Sequence, residues 1–205
     1  MQYFIEGLIF GLSLTVSLGP IFVALTQTSI EKGFWPGVTC GIGVWSSDVI
    51  IISLFLYLVN MLKDLVASHF FNLIMGVGGG IVMMIIGVAL LFYKSTIDYS
   101  TQSYSAKSYL GFWSKGFLVN TLNPFTHVFW MLVITTYVFG RGISTNNTLI
   151  FLSTIMAVII ISDLMKVGLA SYIRDKMTDD HMRKATIVAG VFMIVFGLAF
   201  MIRAF

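Results

Sequence analysis

The stretch that decides the fold runs from Gly116 to Pro124, G-F-L-V-N-T-L-N-P, and continues into an apolar run from Phe125 to Phe139. An earlier stretch, G-L-S-L-T-V-S-L-G-P from Gly11 to Pro20, echoes it. Both end in a hydroxyl residue, a leucine, a small or amide residue, and a proline. Proline inside a helix removes one backbone hydrogen bond and frees a carbonyl one turn earlier. The two stretches therefore predict two broken helices, one in each half of the chain.

The composition around these stretches is that of an integral membrane protein. Hydrophobic residues make up 58% of the 205 positions and charged residues only 10%, against roughly 25% charged in a soluble domain. Apolar runs long enough to cross hydrocarbon, about 20 residues each, exclude barrel strands and favour helices. We predict an all-α protein with six transmembrane helices at approximately 4–27, 36–61, 70–93, 113–138, 147–173 and 184–203.

The six spans predict a single transmembrane domain over residues 1–205 that consists of two inverted three-helix repeats. An odd number of spans per half makes the second half enter the membrane from the opposite side. We place repeat one at approximately 1–94, a polar linker at 95–110, and repeat two at approximately 111–205. In this arrangement the two breaks meet near the middle of the bilayer.

Basic residues predict the orientation, because cytoplasmic connections are enriched in Lys and Arg. Three lie on one side, and eight lie in or next to the connections after spans one, three and five: Lys32, Lys94, Lys107, Lys115, Arg174, Lys176, Arg183 and Lys184. Both termini are therefore expected outside the cytoplasm. The N-terminus lacks the basic region of a cleaved signal peptide, so we keep it as the first span. The net charge of +3 is a topology signal and gives no reason to expect a nucleic-acid partner.

The two breaks are the candidate binding site. Half-helix N-termini present backbone N–H groups and a positive dipole end to an anion such as a carboxylate. A simple kink satisfied by neighbouring helices is the alternative, but the same break in both halves favours a site, as in duplicated transporters. The candidate residues are Ser17, Gly19, Pro20, Asn120, Asn123 and Pro124.

A stripe of polar and small residues passes through each break. In span one the stripe would extend for about 21 Å along one helix face, which is long enough to line a pathway. Its members are Ser13, Ser17, Pro20, Ala24 and Gln27. Span four repeats it with Gly116, Asn120, Asn123, His127 and Met131.

Two carboxylates lie near the middle of predicted spans, where each costs about 3 kcal/mol on insertion scales and is functional by default. Asp48 and Asp163 could bind a substrate ammonium or take up and release protons. Asp163 could instead form an ion pair with Lys166 at i,i+3, and both interpretations stay open, whereas Asp48 has no local basic partner and is expected to be functional. His127 could relay protons, although a hydrogen-bonded structural role is favoured.

The chain resembles the lysine exporter (LysE/RhtB) family of bacterial amino-acid exporters over essentially its whole length. The resemblance rests on Pro20 after glycine, on Asp48, on the Gly116–Pro124 motif, which is the most specific, and on D-L-x-x-x-x-L-A-S-x-[IL]-R from Asp163. It implies six spans, the inner membrane, and export of small amino acids driven by the proton gradient.

Three departures from that family lie near the breaks. Span one keeps only the second G-P of a frequent doubled pair, Phe125 follows N-P where Lys or a small or polar residue is frequent, and Ser47 precedes Asp48 where glycine is usual. They leave the family resemblance intact and leave the exported molecule open.

We therefore expect a proton-coupled secondary exporter of amino acids or similar metabolites, without cofactor or metal and with a possible homodimer through glycine-rich helix faces. A metal or cation exporter is the first alternative, but it would need more converging carboxylate, His or Cys ligands. The second is an intramembrane aspartyl protease, which would use Asp48 and Asp163 as a dyad; neither lies in a G-x-G-D setting. Cys40 is the only cysteine, so an internal disulfide is excluded.

Overall fold

The structure is a computed structural model that describes residues 1–15, 19–66, 69–92, 104–176 and 178–202. Within these ranges every regular element is a helix. The elements are α1 (Gln2–Thr15), α2 (Pro20–Lys32), α3 (Phe34–Val66), α4 (His69–Phe92), α5 (Ala106–Thr121), α6 (Pro124–Leu132), a π-helix (Val133–Phe139), α7 (Thr145–Tyr172), a 3₁₀ turn (Arg174–Lys176) and α8 (Asp179–Ile202).

The predicted first span is two helices whose axes differ by 70°. Gly19 has extended backbone, and Pro20 is the first residue of α2. Proline is favourable at this position, because the backbone N–H of the first helical residue has no acceptor within the helix. The continuous stripe predicted for this span is wrong because of the bend. Ser13 is exposed and donates to the carbonyl of Phe10 at 2.7 Å, while Pro20, Ala24 and Gln27 are buried; Ser17 lies outside the described residues.

The predicted fourth span is broken in the same way. α5 ends at Thr121, α6 begins at Pro124, and the axes on either side of the break differ by 61°. The Asn123 side chain caps α6 by accepting from the backbone N–H of Phe125 at 3.2 Å. The last five positions of the predicted linker, 106–110, are helical, because α5 begins at Ala106. The division of the chain into two repeats stays a prediction.

Unbroken helices of 33 and 28 residues, α3 and α7, form the long elements of the bundle. Each is long and apolar enough to cross a membrane alone, and the number of candidate spans within the described residues rises from two to four if each bent pair is one span. The arrangement of six spans as inverted repeats remains a prediction.

Helices α4 and α8 pack against each other through glycines. A Cβ on Gly87 would lie 2.7 Å from the carbonyl oxygen of Gly190, and a Cβ on Gly190 would lie equally close to the carbonyl of Gly87. Gly80 and Gly197 make a second such pair one to two turns away, with 2.6 and 2.7 Å to the opposite carbonyl oxygens. Glycine at these four positions therefore allows the two helices to approach closely.

Two further helix pairs surround the breaks. α1 packs on α7 and α3 packs on α5. In the second pair the helices approach so closely that a Cβ on Gly116 would overlap the Cys40 carbonyl, and one on Gly43 would overlap that of Trp113. Each helix that leads into a break is therefore fixed against an unbroken helix from the other half of the chain.

Polar contacts close the bundle at both ends. At one end Arg141 binds Glu6 at 3.2 Å. At the other, Lys115 donates to the hydroxyl of Thr28 at 2.9 Å and Arg174 reaches the Glu31 carbonyl at 3.5 Å. Lys115 and Arg174 were predicted to share a side, and they lie at the same end of the bundle. Which end faces the cytoplasm stays a prediction.

Candidate functional site

A cavity of about 50 Å³ lies between the two breaks. This volume is smaller than the ~300 Å³ at which small-molecule pockets begin. Its lining comes from α1, α2, α3, α5, α6 and α7 and the breaks between them: Leu14, Thr15, Gly19, Ile21, Phe22, Val44, Asp48, Asn120, Asn123, Phe125, Thr126, Ile159, Asp163 and Lys166. The predicted residues Gly19, Asp48, Asn120, Asn123 and Asp163 therefore meet around one space.

Asp48, on α3, is 3% exposed and is held by neutral donors. Its Oδ1 accepts from Asn120 Nδ2 and from Trp130 Nε1, both at 2.9 Å. No described residue donates to Oδ2. These two bonds fix the orientation of the carboxylate, but they do not neutralise its charge. A buried charge without an opposite charge is energetically costly, and a bound cation or a proton would remove that cost.

The amides of the fourth span tie the two sides of its break together. Asn120 donates to the Val44 carbonyl at 3.1 Å and accepts from the Thr126 hydroxyl at 2.9 Å. Asn123 donates to the same hydroxyl at 3.0 Å. Because this network joins α5, α6 and α3, a change in the bend at Asn123 would move the donor that holds Asp48.

Asp163, on α7, differs from Asp48 because both of its oxygens are occupied. Lys166 binds Oδ1 at 3.0 Å, and the indole N–H of Trp45 donates to Oδ2 at 3.1 Å. The ion pair that the i,i+3 spacing allowed is therefore present. Lys166 also lines the cavity, with 19% of its side chain exposed.

The two helix N-termini at the breaks are not equivalent. The first turn of a helix has N–H groups with no intrahelical acceptor. At α6 the Asn123 side chain satisfies Phe125, whereas Gly19 at α2 has no side chain to act as a cap. Gly19, Ile21 and Phe22 line the cavity, and no described residue accepts from the N–H groups of the latter two. The first turn of α2 therefore has more backbone N–H groups without a described acceptor than the first turn of α6.

Other predicted site residues lie away from the central cavity. His127 Nδ1 donates to the Asn123 carbonyl at 3.0 Å, one turn earlier on the same helix, and the ring lies edge-on to Phe55. This is the hydrogen-bonded role that the sequence favoured for His127. Pro20 lines a smaller neighbouring pocket with Met83 and Phe192, and Pro124 opens α6 without lining the central cavity.

Two tryptophans were missed from the sequence. Trp130 is completely buried and Trp45 is partly buried, and each donates its indole N–H to one of the two carboxylates. A buried indole N–H requires an acceptor, and acidic acceptors are rare in a membrane chain. The presence of tryptophans and aspartates in apolar helices could therefore have predicted Trp–Asp hydrogen bonds, but it does not show which Trp pairs with which Asp.

The contacts of the two carboxylates can be compared with those expected for an aspartyl protease dyad or a metal site. Asp48 and Asp163 bind separate sets of donors and, within the described part of the chain, share no hydrogen bond, so they do not form a proton-sharing dyad. The same part of the chain holds no group of three or more His, Cys, Asp or Glu side chains that could bind a metal ion. The geometry instead places two carboxylates and one lysine ammonium around one small cavity.

Comparison with known proteins agrees with the sequence resemblance. A sequence model of the family described as "LysE type translocator" matches residues 12–204. Among curated proteins, the one named "Putative amino acid efflux protein YcgF" from Bacillus subtilis (strain 168) is 28% identical over 203 residues, which cover 98% of this chain and 95% of that protein. No solved structure matches the chain.

Proposed function

This chain belongs to the LysE type translocator family, and from that premise we propose that it is a secondary active exporter of amino acids or related small metabolites, coupled to the proton gradient. The observation that carries the proposal is Asp48. It is a buried carboxylate without a cationic partner among the described residues, and it lines a cavity between two broken helices. The amino-acid class is supported by the printed name of the Bacillus subtilis relative.

The proposal includes a multi-pass location in the inner membrane of a bacterium, with six spans in two inverted repeats and both termini outside the cytoplasm. The packing supports this symmetry. α1 and α5, the first halves of the two broken spans, each pack on the unbroken helix of the opposite repeat, α7 and α3. α4 and α8, the third helices of the repeats, pack on each other through reciprocal glycine contacts. Exchanging the repeats leaves this set of pairs unchanged.

Substrate binding is proposed to use both breaks and the buried carboxylates. The substrate carboxylate would bind at the N-terminus of α2 near Gly19, with Asn120 and Asn123 in the surrounding wall. Pro20 and Pro124 would position the two breaks, and Ser17, which lies outside the described residues, stays a candidate from the sequence. The substrate ammonium would bind to Asp48. Asp163 contributes less directly to ammonium binding than the sequence suggested, since Lys166 and Trp45 already occupy its oxygens.

Proton coupling follows if Asp48 binds either the substrate ammonium or a proton, but not both. A bare carboxylate in the membrane interior is costly, so the protein would change its side of access most readily when Asp48 is neutralised. Substrate would leave on the outer side as a proton replaces it, and the proton would be released inside. His127 lies outside the central cavity and is a less direct candidate for this step.

The function is tested by following efflux. Cells with and without the protein are loaded with dipeptides, and the free amino acids that appear outside are measured with and without an uncoupler of the proton gradient. We expect one or a few amino acids to be released faster by the cells that carry the protein, and the uncoupler to abolish that difference. Equal release of all twenty amino acids would contradict the proposed substrate class.

A further inference from the structure

We propose that Lys166 is the receptor for the substrate carboxylate and that the site therefore selects α-amino acids with an uncharged side chain. This inference rests on the proposed exporter function and specifies its substrate. It depends on three features of the cavity, which are the position of Lys166, the unequal surroundings of the two carboxylates, and the apolar character of the remaining walls.

Lys166 is the one cationic side chain that lines the cavity among the described residues. Its Nζ lies 3.0 Å from Asp163 Oδ1, and part of the side chain is exposed. A lysine ammonium has three N–H donors, so the bond to Asp163 leaves two for another acceptor. Gly19 and the first turn of α2 line the same cavity, so a carboxylate bound to Lys166 can also approach the positive end of that helix.

Asp163 is an anchor for this lysine rather than a receptor for substrate. Both of its oxygens are engaged, one by Lys166 and the other by Trp45. Asp48, in contrast, has an oxygen to which no described residue donates. The cavity thus presents one available carboxylate oxygen, on Asp48, and one available ammonium, on Lys166. They complement the ammonium and the carboxylate of a zwitterion. A free cation such as a diamine would be repelled by Lys166 and would have only Asp48 to bind.

The other described residues that line the cavity offer no charge to a substrate side chain. The walls between the charged groups are formed by Leu14, Phe22, Val44, Phe125 and Ile159. A charged substrate side chain would be buried there without a partner, which is strongly unfavourable. The site therefore favours aliphatic or other uncharged side chains and disfavours lysine and arginine.

The test compares amino acids with their amides, which keep the ammonium and lack the carboxylate. Binding of leucine, leucinamide, alanine, alaninamide and lysine to the purified protein is measured near pH 6, where the α-amino groups are protonated. We expect the protein to bind leucine about 10- to 100-fold more tightly than leucinamide, as for a hydrogen bond between charged groups. We expect lysine to bind at least about 10-fold more weakly than leucine.

Variants of Lys166 identify the group responsible for the preference for a carboxylate. Lys166→Met should reduce the preference for leucine over leucinamide to about 3-fold or less, and Lys166→Arg should retain most of it, because the charge is kept. The matched control is Lys184→Met, which removes an exposed lysine on α8 and should leave the preference unchanged. The double variant Asp163→Asn/Lys166→Met removes both members of the ion pair, so no buried charge is left unpaired, and it should lose the preference as well.

The outcomes separate this inference from the proposed function. Binding of none of these amino acids and amides, together with no protein-dependent release in the efflux assay, would contradict the exporter function itself. Binding of leucine with the same preference over leucinamide in the Lys166→Met and double variants would overturn the role of Lys166 and leave the exporter function standing. Lysine binding as tight as leucine binding would overturn the selection for uncharged side chains.

Discussion

At the residue scale, the two buried carboxylates have different surroundings. Asp163 is neutralised within its own helix by Lys166, while the described residues that donate to Asp48 are neutral and come from two other helices. An anion that is oriented but not neutralised is ready to bind a cation or a proton. Asp48 is therefore the residue on which the proposed transport cycle depends.

Asp48→Asn should abolish export while leaving the protein in the membrane. The amide keeps nearly the same shape but can neither carry a negative charge nor exchange a proton. Efflux and membrane abundance are measured together, with Asp180→Asn as the control, because Asp180 is exposed and forms an ion pair with the exposed Lys184. Normal export by the Asp48→Asn variant would contradict the proposed role of Asp48.

Trp130→Phe should weaken substrate binding by about 10-fold, the effect of losing one hydrogen bond to a charged acceptor. The indole N–H of Trp130 fixes Asp48 Oδ1 at 2.9 Å, and phenylalanine fills most of the space without a donor. Trp35→Phe is the matched control, since Trp35 is exposed. The same loss of affinity in both variants would indicate that the hydrogen bond is not the cause.

Part of the site could be predicted at the residue scale and part could not. Asp48, Asn120 and Asn123 were identified because polar side chains in an apolar helix are energetically costly and are therefore expected to have a function. Trp45 and Trp130 were not, since a tryptophan in an apolar run is also an ordinary packing residue. Their role depends on which carboxylate lies opposite the indole, which is a tertiary contact between helices far apart in the sequence.

At the element scale, the two breaks have the same sequence pattern and different chemistry. Asn123 caps its own helix through its side chain, while Gly19 leaves the first turn of α2 without a side-chain cap. The positions of the breaks followed from proline in an apolar segment. Their inequality depends on where one asparagine side chain points, and sequence pattern alone does not define that direction.

The α4–α8 pair supplies a prediction about helix packing. Gly87→Leu should destabilise the protein by about 1–3 kcal/mol, the usual effect of overpacking, because its side chain would collide with the backbone of Gly190. Gly78→Leu on the same helix is the control, since nothing lies within 4 Å of a Cβ there. Thermal denaturation in detergent compares the two, and equal melting temperatures would contradict the close approach of α4 and α8.

At the scale of the whole molecule, the contacts join positions that the charge distribution had assigned to the same side. Glu6 meets Arg141 at one end of the bundle, and Lys115 and Arg174 contact α2 at the other. Membrane class and helical fold followed from composition, because bilayer thickness constrains helix length. The pairing of helices between the halves did not, since weak similarity between repeats carries little information about contacts.

Single cysteines test the predicted orientation. The natural Cys40 is completely buried, so a membrane-impermeant thiol reagent should react mainly with cysteines that are introduced. We expect Asn146→Cys, at the exposed start of α7, to be labelled in intact cells. Lys107→Cys, at the exposed start of α5, should be labelled only after the cells are permeabilised. The reverse pattern would place both termini in the cytoplasm.

The central claim is that export of an amino acid is exchanged for a proton at Asp48. The most direct measurement follows uptake of the amino acid identified by the efflux assay into vesicles that contain the purified protein and have an acidic interior. The account predicts accumulation that requires the pH gradient and disappears in Asp48→Asn. Accumulation without a gradient, or gradient-driven accumulation that survives in Asp48→Asn, would contradict it.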